Sequence, residues 1–218
     1  MKLHLFGRAR LRAQFEQQLH DRGNPHELVS AAQADWIIDF GETLEEKQVL
    51  FDLRARAPML SLTYPASPTH LAARTCYPDR VVGFSALPPV SRASVLELMP
   101  ALQSSPALVA QARELLESTG LRVIEVGETP AGVAARTVAC LVNEAVSAVA
   151  ERVADPATID TAMRLGTNYP RGPLEWAGHV GLRAVLAMLE GLYQEYGEDR
   201  YRPHPLLRRA VLAGRETL

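Results

Sequence analysis

The chain has 218 residues, 47% hydrophobic and 22% charged, with 14 glycines and 15 prolines, which is globular rather than fibrous, disordered or membrane-spanning composition. Its 23 basic and 25 acidic residues leave a net charge of −2, and the arginines are scattered, so no basic face for nucleic acid is present. No uncharged apolar run approaches the ~18 residues that cross a bilayer, and the amino terminus lacks the apolar core of a secretory signal, so a cytoplasmic protein with no membrane partner is expected.

Taken in chain order, Lys2 to Phe6 predicts a short strand, with Gly7 at its turn. Leu11, Phe15 and Leu19 recur every fourth residue, which places them on one face of a helix ending before Gly23. Asp35 to Phe40 reads as a buried strand whose Asp39 is a strand-end cap or a solvated carboxylate. Thr43 followed by Glu46 has capping-box spacing, opening a helix that runs to about Ala57 and is stopped by Pro58. Strands are predicted at Met59 to Thr63, Arg80 to Ser85 and Val95 to Met99; Leu87-Pro88-Pro89 breaks the chain before the last of them. Ser105-Pro106 opens a helix that Gly120 closes, and Leu121 to Val126 is a final strand. Such alternation predicts a mostly parallel sheet with helices on its faces.

The pattern changes at Gly127-Glu128-Thr129-Pro130. Val133 to Ala154 reads as one long helix too apolar to lie at the surface. Asp155 as cap and Pro156 at the first position start a second helix, with Gly166 as its stop. Tyr169 to Pro173 is predicted as a rigid loop. Leu182, Val185, Leu186, Leu189, Leu192 and Tyr193 mark a third helix, and Pro205 to Ala213 a fourth. The fold class is therefore α/β followed by all-α, a reduced parallel sheet at 1–127 and a helical domain at 128–218. Cys76 and Cys140 are too few for a disulfide framework or zinc site and read as buried free thiols.

Specific motifs stand in the second half: Asn143-Glu144-Ala145, then Asp155-Pro156-Ala157-Thr158-Ile159-Asp160-Thr161-Ala162-Met163-Arg164-Leu165-Gly166, then Tyr169-Pro170-Arg171-Gly172-Pro173-Leu174-Glu175, and Tyr201-Arg202-Pro203-His204-Pro205-Leu206-Leu207. This series resembles the carboxyl-terminal helical domain of 3-hydroxyacyl-CoA dehydrogenases. Tyr77 to Phe84 resembles the strand that leads into that family's catalytic histidine. The resemblance implies a Rossmann-type domain for NAD, a helical domain carrying a dimer contact, and oxidation of a 3-hydroxyacyl-CoA in fatty-acyl or aromatic acyl-CoA metabolism.

Residue by residue, the resemblance implies a damaged site. The glycine-rich phosphate turn is Gly7-Arg8-Ala9-Arg10-Leu11-Arg12, with one glycine, where side chains replace the backbone that a diphosphate approaches. Chain is missing between Gly23 and Asp35, where the family's ribose-binding strand would lie. The family's His-Phe-Phe-Asn-Pro becomes Ser85-Ala86-Leu87-Pro88-Pro89, so Ser85 stands at the general-base position and cannot titrate near neutrality. Glu97 keeps the position that orients the histidine. The substrate-contacting Asn-Thr-Ser-Ser becomes Leu62-Thr63-Tyr64-Pro65, and the second-domain asparagine becomes Ala135.

The pattern resembles the second half of the tandem dehydrogenases of phenylacetate degradation, which implies an assembly module without a cofactor, paired as a homodimer or with a complete dehydrogenase. Two other readings stay open: an active enzyme of unusual design, with His70 or His179 as substitute base, and an acyl-CoA binder without redox chemistry. Arg136 would meet a CoA phosphate or form an interdomain ion pair. Glu144 and Asp160 read as capping or ion-pairing groups.

Overall fold

The computed structural model describes residues 1–7, 10–21, 26–53, 55–90 and 94–218. Arg8 and Gly23, which carried expectations about the phosphate turn and the first helix's end, lie outside them. Seven strands form one sheet: β1 (Lys2–Phe6), β2 (Glu27–Leu28), β3 (Trp36–Asp39), β4 (Met59–Leu62), β5 (Val81–Ser85), β6 (Val95–Pro100) and β7 (Arg122–Glu125), in the order β2-β1-β3-β4-β5-β6-β7. All neighbours are parallel except β5 and β6. Every residue of β3, β4 and β5 is buried, which is why these strands read as unbroken runs: both faces are covered. β1 alternates instead, with Leu3 and Leu5 buried and His4 and Phe6 half-buried.

Helix α1 (Arg10–Asp21) packs Leu11, Phe15 and Leu19 on one side of the sheet, joined there by Val109, Ala112, Leu115 and Leu116 of α4 (Pro106–Ser118). On the other side, α2 (Leu44–Phe51) contributes Leu50 and Phe51, and α3 (Pro68–Ala73) contributes Leu71 and Ala72. Caps anticipated from composition are made: Thr43 Oγ1 accepts from Glu46 N at 3.3 Å, and Ser105 Oγ from Leu108 N at 3.2 Å.

The helical half comprises α5 (Ala134–Ala150), α6 (Pro156–Thr167), α7 (Pro173–Val180), α8 (Leu182–Tyr196) and α9 (Pro205–Leu212). α5 is central: Ala135, Ala139, Val142, Ala145 and Val146 are buried at helical spacing, and α7, α8 and α9 pack around them. The apolar cluster is continuous from Leu3 and Phe15 in the sheet half to Ala139, Val185 and Leu207 in the helical half. α6 differs from its neighbours, with no buried residue and Leu165 82% exposed.

Six expectations are corrected. A two-residue strand, β2, occupies the stretch read as lacking one. α2 stops at Phe51, its last residue to reach the core; Asp52 and Leu53 are exposed, leaving chain to return to β4. α5 stops at Ala150 because Arg152 turns left-handed (φ 61°). α6 ends at Asn168 (φ 56°) rather than at Gly166. Pro173 is the first residue of a helix, not the end of a loop, because Asp160 reaches across from α6 to accept from Leu174 N (2.8 Å) and Glu175 N (2.9 Å). This is the capping role anticipated for Asp160. Both cysteines are free, but Cys76 is exposed and Cys140, packed against the edge of the core, is half-buried.

Candidate functional site at the turn into α5

Ser85 ends β5 and lies directly opposite Glu97 in the antiparallel β6. Both are buried, at 1% and 5% exposure. Ser85 Oγ donates to the carbonyl of Ala131 (2.7 Å), while the two Glu97 oxygens accept from Val133 N (2.6 Å) and Ala134 N (2.9 Å) at the start of α5. A carboxylate here satisfies two free amides and meets the positive end of the helix dipole. The turn is tight: Ala131 and Gly132 both have positive φ, and a Cβ on Gly132 would stand 2.0 Å from Glu97 Oε2. Glycine is required there because the carboxylate fills the space.

Among the described residues, Ser85 and Glu97 bond the backbone of the turn into α5 and no imidazole. His70 lies half-buried on α3, and His179 lies exposed in the last turn of α7, not in a loop, with its Nε2 3.9 Å from Glu175. Around the pair, Thr63 O accepts from Ala131 N (2.7 Å), Tyr64 OH donates to Ala86 O (2.5 Å), and Ala135 is buried. α8 closes over the same segment at Gly191, where a Cβ would fall 2.4 Å from the Pro65 carbonyl oxygen.

A second region lies at the carboxyl end of β1. Gly7 (φ 98°) packs so closely on Phe40 and Gly41 that a Cβ would sit 2.8 Å from Gly41 N. Arg12 donates to Gly7 O (3.0 Å) and pairs with Glu16; Arg10 donates to Gly178 O (2.6 Å) and pairs with Glu216. A cleft of about 620 Å³ runs beside β1, lined by His4, Leu5, Phe6, Gly7, Arg12, Glu46 and Val49. Nearby, the Glu42 carboxyl is pushed up to about 7 by burial and by the adjacent Glu46, while Glu46 pairs with Arg183 at 3.3 Å.

Beneath this end of the sheet lies a group that sequence reasoning missed. Asp39 is fully buried, and its Oδ2 accepts from Lys47 Nζ (2.5 Å) and Ser61 Oγ (2.6 Å), while Oδ1 accepts from Gly41 N (2.8 Å). It is thus a strand-end cap, but not a solvated one. Lys47 is also fully buried, and burial pulls its ammonium below the ordinary range against the opposing attraction of Asp39. The available signal was the helical phase of α2, which turns Lys47 inward with Leu50 and Phe51. Arg136 lies beside the adjacent rings of Tyr196 (4.9 Å) and Tyr201 (5.0 Å), in place of the anticipated interdomain ion pair.

Among the described residues there is no helix long and apolar enough to cross a membrane and no group of His, Cys, Asp and Glu able to hold a metal ion.

A mainly parallel sheet joined to a helical bundle is the architecture of a two-part oxidoreductase with a Rossmann-type first half. Residues 4–129 match the NAD-binding domain of 3-hydroxyacyl-CoA dehydrogenase, and residues 133–217 match its C-terminal domain. The chain belongs to the 3-hydroxyacyl-CoA dehydrogenase family. It is 35% identical over 193 residues to the probable 3-hydroxybutyryl-CoA dehydrogenase of Bacillus subtilis, covering 86% of this chain and 67% of that protein. With the 3-hydroxyadipyl-CoA dehydrogenase of Escherichia coli it shares 46% over 97 residues, covering 44% of this chain and 20% of that protein. Against the probable 3-hydroxybutyryl-CoA dehydrogenase of Deinococcus radiodurans and the 3-hydroxybutyryl-CoA dehydrogenase of Clostridioides difficile it spans only 52% and 56% of their length.

Among solved structures, the (S)-3-hydroxybutyryl-CoA dehydrogenase of Ralstonia eutropha superposes with a TM-score of 0.74 at 26% identity, covering 98% of this chain and 94% of that one. The 3-hydroxybutyryl-CoA dehydrogenase of E. coli superposes with a TM-score of 0.68 at 26% identity, covering 93% of this chain but 47% of that one.

Proposed function

We propose that this chain is a catalytically silent 3-hydroxyacyl-CoA dehydrogenase, an assembly module of cytoplasmic acyl-CoA metabolism built from a reduced sheet domain (1–127) and a helical domain (128–218). The observation that carries this reading is the commitment of Ser85 and Glu97 to the backbone of residues 131–134. Hydride transfer from a 3-hydroxyl needs a base to take its proton. Serine at that position holds no titratable group, and both oxygens of Glu97 are already engaged. Losing a general base costs ~10²–10⁴ in rate before any loss of cofactor binding is added.

The residues at the β1 turn do not suit a dinucleotide. Backbone amides must approach a diphosphate closely, and the diphosphate favours positive surroundings. Here Arg10 and Arg12 are spent on carbonyls and carboxylates, Glu46 brings a carboxylate to the cleft, and β2 is two residues long. No step of a reaction is therefore assigned to NAD.

The partner in this reading is a second copy or a complete dehydrogenase, met through the helical half. Supporting it are the absence of buried residues on α6 and the exposure of Leu165, beside the superposition on about half of a longer E. coli chain. That coverage also favours kinship with one half of a tandem enzyme. Light scattering on the chain alone and mixed with a complete 3-hydroxyacyl-CoA dehydrogenase tests the assembly role. A dimer or mixed complex is expected; a monomer at micromolar concentration that ignores the dehydrogenase contradicts it. Calorimetry with acetoacetyl-CoA separates the acyl-CoA-binding reading, which requires a saturable heat.

A further inference from the structure

The chain passes once between its halves, through residues 126–133, and this passage is tied at almost every step. Val126 N bonds Leu98 O (3.0 Å), continuing the sheet. The Glu128 carboxylate accepts from Thr69 N at the first turn of α3 (3.0 Å). Thr129 Oγ1 accepts from Tyr196 OH (2.9 Å) and Arg136 Nη1 (3.3 Å). Ala131 is held at its N–H by Thr63 O and at its carbonyl by Ser85, and Val133 and Ala134 are held by Glu97.

One side chain joins these ties to the far end of the helical half. Arg136, on the first turn of α5, bonds Thr129 in the passage and the Tyr201 hydroxyl beyond α8, while its guanidinium lies beside the adjacent Tyr196 and Tyr201 rings, 4.9 and 5.0 Å from their centroids. The rings are themselves 5.6 Å apart, so the cation, both tyrosines and Thr129 form one closed cluster. A guanidinium can lie against both rings while its two terminal nitrogens donate to separate acceptors, Nη1 to Thr129 and Nη2 to Tyr201, a fixed fork that a lysine ammonium does not reproduce. Elsewhere the halves touch without a gap at Gly191 and Pro65, and are clasped by Arg183 with Glu46 and by Arg10 with Gly178 O.

We propose that Arg136 is the bolt that pins the passage between the halves to the helical half, and that this chain, whose passage is tied to the sheet half as well, therefore holds its two halves as a single rigid body whose spacing does not change with ligand. Hinges are a few terminal or loop residues free to absorb a change in φ and ψ, and here those residues are bonded from Thr63 and from β5, β6, α3, α5 and α8. The proposal goes beyond the silence of the site: turnover by a rigid chain would overturn that silence and leave the bolted hinge standing.

Spin labels on the native, exposed Cys76 and on Leu212→Cys, in a Cys140→Ala background and diluted into unlabelled chain so that only intramolecular distances are read, place one probe in each half for pulsed dipolar distance measurement. One narrow distance distribution is expected, unchanged by saturating NAD or acetoacetyl-CoA. Arg136→Met is expected to broaden it and to speed amide exchange at Ala131, Val133 and Ala134 about tenfold or more, with Arg136→Lys failing to restore protection. Thr129→Val, which removes the shared acceptor without disturbing α5, provides the same readout should Arg136→Met not fold. Two distance populations in the parent, a distance that moves with either ligand, or unchanged exchange in every folded variant would overturn the proposal.

Discussion

Ser85 and Glu97 face each other across the β5–β6 ladder, and both side chains end on the same backbone, the turn that leads into α5. A pair that the family resemblance places in catalysis thus serves here to fix a helix start. The turn has closed around them, as the 2.0 Å clearance at Gly132 shows.

Restoring the histidine is consequently not enough to restore chemistry. Ser85→His is expected to give no increase in NADH-linked turnover and to destabilise the fold by about 1–3 kcal/mol, the usual cost of overpacking a filled interior. Urea unfolding beside an NADH absorbance assay measures both effects. A variant as stable as the parent that turns over would show that room for the imidazole exists.

The buried Asp39–Lys47 pair makes a different demand. Lys47→Met alone leaves a buried carboxylate with only Ser61 and the Gly41 amide, and is expected to cost about 3–5 kcal/mol. Adding Asp39→Asn should recover part of that loss, because no uncompensated charge then remains. Denaturant midpoints of the single and double variants decide the point, and equal losses in both would contradict the account.

Glu42 predicts a pH dependence whose sign follows from its cause. Burial and Glu46 raise its folded-state value to about 7, so the folded form prefers the proton. Its contribution to stability is complete below the ordinary carboxyl range, and falls as pH rises from there through about 7. Glu42→Gln should stabilise the protein at pH 8 by about 1–2 kcal/mol after allowance for solvent screening, and leave it unchanged at pH 4. Thermal melts across that interval check it, and a variant that loses stability at pH 8 contradicts it.

What could be read from the sequence, and what could not, divides along local and distant causes. Thr43, Ser105 and Asp155 were recognisable as caps because a cap bonds amides two or three residues away. The buried strands β3, β4 and β5 were visible as apolar runs, and α1 as a four-residue repeat. By contrast α7 begins at Pro173 through a carboxylate on α6, which no local pattern announces. β2 has two exposed residues and no hydrophobic alternation to mark it. The helical phase of α2 turns Lys47 inward, but its partner Asp39 comes from β3, eight residues back. Arg136 finds its partners 60 and 65 residues further along the chain, and Tyr196 and Tyr201 carry nothing in their own surroundings to suggest a guanidinium.

For the candidate site, the family motifs located the substituted positions, Ser85 and Glu97, but not their new employment. That depends on the positive φ of Ala131 and Gly132 and on the closeness of the turn, which are tertiary facts.

The most direct test of catalytic silence is NADH absorbance with acetoacetyl-CoA and the full chain at micromolar concentration. The account predicts oxidation no faster than in the protein-free control. Saturable turnover that disappears in Glu97→Gln would contradict it, because it would show that Glu97 serves a reaction and not only the first turn of α5.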